Sequence, residues 1–126
     1  MITEDYVSFE TAKLLEEKGF AGECSRFYMP SGHGRWKYEH YHDFDISDRI
    51  ECPTLQMAMK WLREVHNIHI SIYVFNRDLP VGDKALYTCD IATKEQSSKD
   101  GHLRLTSDTY EEACESGIKY CLENLI

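Results

Sequence analysis

The stretch Thr54-Leu55-Gln56-Met57-Ala58-Met59-Lys60-Trp61-Leu62-Arg63-Glu64-Val65-His66-Asn67-Ile68-His69-Ile70-Ser71-Ile72-Tyr73-Val74 changes its hydrophobic period in the middle, and that change decides the fold class. Up to Val65, the residues Leu55, Ala58, Met59, Leu62 and Val65 recur at three- and four-residue steps, with Trp61 beside them. That spacing marks one buried stripe of a helix. From Ile68 the period is two: Ile68, Ile70, Ile72 and Val74 point one way, His69, Ser71 and Tyr73 the other. Asn67 lies at the junction, and asparagine tolerates the left-handed backbone that ends a helix, which leaves Ile68 to cover Leu62. A helix near 53–66, started at Pro53 or capped by Thr54, and a strand over 68–75 follow. Leu62 and Ile72, each central to its stripe, are both expected to be buried.

Working outward, Ser8 caps a run to Lys18 in which Phe9, Ala12 and Leu15 share a stripe, and Gly19 takes the position after the helix. This predicts a helix near 8–18, with Phe20 folding back onto its end. Thr109 and Glu112 have the form of a capping box. Tyr110, Cys114, Gly117, Ile118, Cys121, Leu122 and Leu125 then form one stripe, so a helix is predicted over 109–125. Residues 84–92 alternate as a second strand and His102–Leu105 as a short third, and their short connections favour an antiparallel meander.

Residues 21–51 are the hardest stretch. Pro30-Ser31-Gly32-His33-Gly34 is a turn cluster. Trp36, Tyr38, His40, His42 and Phe44 then alternate with Lys37, Glu39, Asp43 and Asp45, a strand with one aromatic face that Tyr41 interrupts. Ile46 to Glu51 reads as an acidic connector. The fold class is α+β, two-layer: an antiparallel sheet of about three to four strands packed against about three helices, in a single domain spanning 1–126.

A chain of 126 residues buries enough surface to need no disulfide or metal. Its net charge of −8 repels phosphate, so no nucleic-acid partner is expected. A mimic of DNA charge is a rarer use of the same balance. No apolar run is long enough to span a bilayer, so no membrane partner is expected. Met1-Ile2-Thr3-Glu4-Asp5 lacks the basic and apolar regions of a signal peptide, and the expected location is the cytoplasm. Cys24, Cys52, Cys89, Cys114 and Cys121 are odd in number and never form C-x-x-C, which points to reduced, structural thiols.

Few residues point to chemistry. His40 and His42 at i, i+2 on a strand could chelate a metal, but no second ligand pair recurs at a standard spacing, so no metal and no cofactor are assigned. His66 and His69 fall on opposite sides of the helix stop. No nucleophile–base pair or phosphate loop is legible, so no catalytic residue is assigned. Glu16-Glu17 and Glu111-Glu112 read as solvated helix carboxylates, the second pair favoured by the dipole of a first turn. The aromatic region 27–44 has the composition of a recognition surface, and Tyr28, Trp36, Tyr38, His40, Tyr41, His42 and Phe44 are the candidate interaction residues.

Three blocks, 6–15, 52–67 and 109–122, resemble a group of small uncharacterised proteins frequent in gut anaerobic bacteria and their phages or mobile elements. The resemblance implies a context and no mechanism, since the shared residues are helix-packing ones. Locally, Leu103-Arg104-Leu105 followed by Ser107 to Ala113 looks like the strand–helix junction of HicB-type antitoxins. That likeness implies a partial RNase H-like fold that neutralises a small RNA-cleaving partner, although the usual glycine before the helix is absent. The leading expectation is a non-enzymatic protein-interaction module of phage or mobile-element origin with an unknown protein partner and a homodimer left open. The alternatives are a small metal-dependent or hydrolytic enzyme using the His40/His42 region and a HicB-like antitoxin.

Overall fold

The computed structural model describes residues 2–37, 48–75, 86–94 and 104–126. Each of its helices starts on the capping side chain that the sequence marks. α1 spans Phe9–Glu17, and Ser8 Oγ accepts the Thr11 N–H at 3.2 Å. It ends on Gly19 at φ 97°, whose N–H reaches the Glu16 carbonyl while Phe20 N–H reaches that of Leu15. This pair of bonds is the Schellman closure, and it turns Phe20 back so that its ring stands edge-on to Trp61 at 5.6 Å.

Three short strands follow: β1 (Arg26–Tyr28), β2 (Gly34–Trp36) and β3 (Ile50–Cys52). α2 then runs Leu55–His66, with Thr54 Oγ1 accepting the Met57 N–H at 3.1 Å. Asn67 adopts the left-handed conformation (φ 54°, ψ 38°), and the N–H groups of Asn67 and Ile68 both reach the Leu62 carbonyl. The chain leaves this stop directly into β4 (His69–Phe75). β5 (Leu86–Ala92), β6 (Arg104–Ser107) and α3 (Tyr110–Asn124, capped by Thr109) complete the order.

β4, β5 and β6 form an antiparallel meander in that order, with Ile72 opposite Cys89 and Cys89 opposite Leu105. The α+β reading holds, including the meander. α3 lies across all three strands, and α2 rests against β4 and α3. The approach of α3 is set by Gly117, where an added Cβ would come within 2.5 Å of Cys89 Sγ and 3.3 Å of Ile70 Cγ2. Any side chain there would push the helix off the sheet.

A second antiparallel sheet, β2-β1-β3, was not legible in the sequence. Residues 50–52 belong to β3, so the expected acidic connector is corrected: three residues are too few for a period, and only Cys52 among them is buried. Trp36, expected to begin an aromatic-faced strand, is the last residue of β2; residues 38–44 lie outside the described ones. Leu62 is fully buried as expected, whereas Ile72 is half-buried, because among the described residues β4 is the sheet's outer strand.

Buried side chains from α1, β3, α2, β5 and α3 join in one cluster around Leu15, Leu62, Ile118 and Leu122. Polar contacts tie α1 to α3. Glu115 Oε1 accepts both the Ser8 N–H and the Thr11 hydroxyl, and Lys119 Nζ lies 3.0 Å from Glu10. The N-terminal segment runs beside the start of α2, with Val7 N–H donating to Pro53 O and Leu55 N–H to Asp5 O.

Candidate functional site: an acidic groove at three helix starts

The first turns of α1, α2 and α3 meet on one side of the molecule, and the segment Asp5–Ser8 passes between them. A groove of about 390 Å³ lies there. Tyr6 and Tyr28 contribute aromatic wall, and Asp5, Glu111, Glu112 and Glu115 contribute carboxylates. A second groove of about 320 Å³ adjoins it through Asp5, Leu55 and Glu111 and extends toward Ile2 and Tyr110.

The carboxylates are there for a physical reason. A helix start carries roughly half a positive charge, and first-turn acids offset it. Three converging starts amount to about +1.5, whereas four carboxylates line the groove, so a negative balance remains. Glu115 is occupied by its bonds to the α1 cap. Glu111 and Glu112 are exposed.

Tyr28 enters this wall from β1. Its hydroxyl donates to the Val7 carbonyl at 2.8 Å, and burial, reinforced by the neighbouring Cys52, pushes its pKa up to about 12. The phenol therefore stays a donor and anchors the N-terminal segment. Beside it the Arg26 guanidinium is packed among Trp36 (4.8 Å from the ring centroid), Tyr6 (5.9 Å) and Tyr28 (6.0 Å). Tyr6 stands edge-on to Trp36 at 5.3 Å, and Phe9 to Tyr28 at 5.5 Å. Tyr6, Tyr28 and Trp36 are half-buried supports around the Arg26 cation, while Phe9 carries Lys13 at 5.3 Å. On the other face of the small sheet, Glu51 gathers Lys37 at 2.9 Å, Arg49 at 3.4 Å and the Cys24 N–H.

Of the sequence-predicted interaction residues, Tyr28 lines the groove and Trp36 stacks behind it on Arg26. Tyr38, His40, Tyr41, His42 and Phe44 lie outside the described residues. The groove also uses Asp5, Glu111, Glu112 and Glu115, which sequence reasoning had not assigned to a site. The i, i+4 spacing of Glu111 and Glu115 puts them on one helix face, but nothing local brings Asp5 there. His66 and His69 fall on separate elements, as the helix stop implied: His66 packs edge-on against Trp61 at 4.7 Å, and His69 bonds Asn67. Among the described residues no group of three or more His, Cys, Asp or Glu is placed to hold a metal.

All five cysteines are buried free thiols. Burial pushes Cys24, Cys89 and Cys121 up to about 12 and Cys52 to about 11, and it raises Cys114. They remain protonated and behave as small hydrophobes. Among the described residues no helix is long and apolar enough to cross a membrane. Comparison with protein families, curated proteins and solved structures finds no match to this chain.

Proposed function

We propose that the protein is a non-enzymatic protein-interaction module whose groove receives a basic segment of a partner protein. The observation that supports this reading is the joining of tyrosine rings to a surplus of carboxylates in one cleft. A lysine or arginine side chain can lay its apolar stem along Tyr6 and Tyr28 and bring its charge to Glu111 and Glu112. Complementary charge of this kind sets encounter rate and partner choice more than raw affinity. A phage or mobile-element setting is inferred from the resemblance of blocks 6–15, 52–67 and 109–122, and a cytoplasmic one from the five free cysteines.

The test uses a short lysine- and arginine-rich peptide, followed by titration calorimetry. Glu111→Lys with Glu112→Lys should weaken binding about tenfold, in line with roughly 0.2–1 kcal/mol for each exposed charge and its reversal. Glu16→Lys with Glu17→Lys, the same charge change on the exposed side of α1, should leave it nearly unchanged. Equal losses in both variants would mean that overall charge, and not the groove, attracts the peptide.

A further inference from the structure

Thr11 is a polar residue on α1 with no exposed surface. A hydroxyl so placed costs desolvation unless its hydrogen bonds are made. Here they are made in a fixed order. A carboxylate only accepts, so the Thr11 proton goes to Glu115 Oε1 on α3. The Thr11 oxygen in turn accepts the Ser8 hydroxyl at 3.1 Å, and the Ser8 N–H reaches Glu115 Oε1 at 3.1 Å. The α1 cap and a buried threonine thus hold one carboxylate that stands 104 positions away in the chain.

That carboxylate belongs to the groove, whereas Thr11 is not part of its wall. Glu115 is half-buried, and Glu111, one turn earlier on the same face of α3, is exposed. A charge with less water around it is screened less and acts more strongly on a cation nearby. The donors that occupy Glu115 are neutral, so they fix its charge in place without cancelling it. Left to itself, Glu115 has another partner. Lys119 is four residues on, in the orientation that favours a helical ion pair. In the structure Lys119 instead reaches Glu10 at 3.0 Å and Glu123 at 4.0 Å.

We infer that Thr11 is a positioning residue of the groove: from inside the core it holds Glu115 as a third carboxylate, beside Glu111 and Glu112, for the basic side chains of the partner. The inference rests on the groove reading and adds to it the group that presets the site. A glutamate already fixed loses little rotamer freedom when a cation arrives. Without the Thr11 hydroxyl, Glu115 turns along its own helix toward Lys119, and its charge is cancelled outside the groove.

Titration calorimetry of the lysine- and arginine-rich peptide into the full chain, well below the melting temperature of every variant, is the test. Thr11→Val removes the hydroxyl and should weaken binding about threefold, the worth of one partly screened charge. Glu115→Gln, whose amide oxygen still accepts both donors, should lose about as much. Thr11→Ser restores the hydroxyl and should keep the parent's affinity. If Thr11 only filled space, serine would leave a void and would be at least as damaging as valine. Adding Thr11→Val to Glu115→Gln should bring no further loss. Should Thr11→Val not fold by circular dichroism, Thr11→Ala takes its place with the same expected loss. Parent-like binding by Thr11→Val or Glu115→Gln overturns the inference, as does equal weakening by serine and valine, or losses that add in full. If Glu111→Lys with Glu112→Lys still weakens binding in that case, the groove reading stands without it; if that pair has no effect, both fall.

Discussion

Between the meander and α3 the contact is apolar: Ile70, Cys89, Ile91 and Leu105 meet a helix face built from Ala113, Cys114, Gly117, Ile118 and Cys121. The small sheet of β1, β2 and β3 is held in another way. Its one face surrounds the Arg26 guanidinium with three aromatic rings, and its other gathers Lys37 and Arg49 around Glu51. The first kind of contact is non-directional and scales with buried area, so it depends on pattern and volume. The second depends on particular groups meeting in particular orientations, which no repeat in the chain announces. Both regions nevertheless feed one cluster, since Cys52 of β3 is buried in the same core as Cys89 of β5.

Perturbing the shared core should therefore have the largest effect. Leu62→Ala removes a fully buried side chain and should cost roughly 2–5 kcal/mol, read as a lowered urea midpoint. If only part of the chain's signal shifts, the two regions unfold separately and the single-cluster picture fails. Alkaline pH reaches both regions at once. A thiol whose folded pKa is raised contributes stability that is fully present below its unfolded value of 9.0 and is lost as pH rises toward the folded value. Cys24, Cys89 and Cys121, each raised to about 12 by burial, should together destabilise the chain above pH 9. The loss should be about 1 kcal/mol per thiol for each further pH unit, measured as falling melting temperature. A melting curve indifferent to pH between 8 and 10 would mean that the thiols are solvated.

A smaller change should come from the region held by oriented groups. Arg26→Lys keeps the charge but loses the planar stack, and about 1 kcal/mol should go with it. Thermal melts that superimpose on the parent would reduce the Arg26 cluster to surface decoration. The least costly opening should be local. Cys24 and Phe27 are buried, yet neither belongs to the main core cluster. Mass-resolved alkylation at low urea should modify Cys24 before Cys52, Cys89, Cys114 or Cys121. Simultaneous labelling would place Cys24 in the same cooperative unit as the rest.

Local chain chemistry determined the three helices, the stop at Asn67 and the two long strands of the meander, whereas the short third, expected at 102–105, is β6 at Arg104–Ser107. The caps Ser8, Thr54 and Thr109 satisfy orphan N–H groups within their own turns, and an alternation of seven residues is long enough to be read. β1, β2 and β3 have three residues each, too few for a period to show, and Arg26 meets Cys52 only across a long chain closure. Half-burial of Ile72 follows from its place on the outer strand among the described residues, which its own stripe does not encode. The groove shows the same division. Glu111 and Glu112 are legible as first-turn acids, but their meeting with Asp5, Tyr6 and Tyr28 is a product of packing. Periodicity and capping act over a few residues and can be read from the chain; a site assembled from three helix starts and a strand exists only once the core has brought them together.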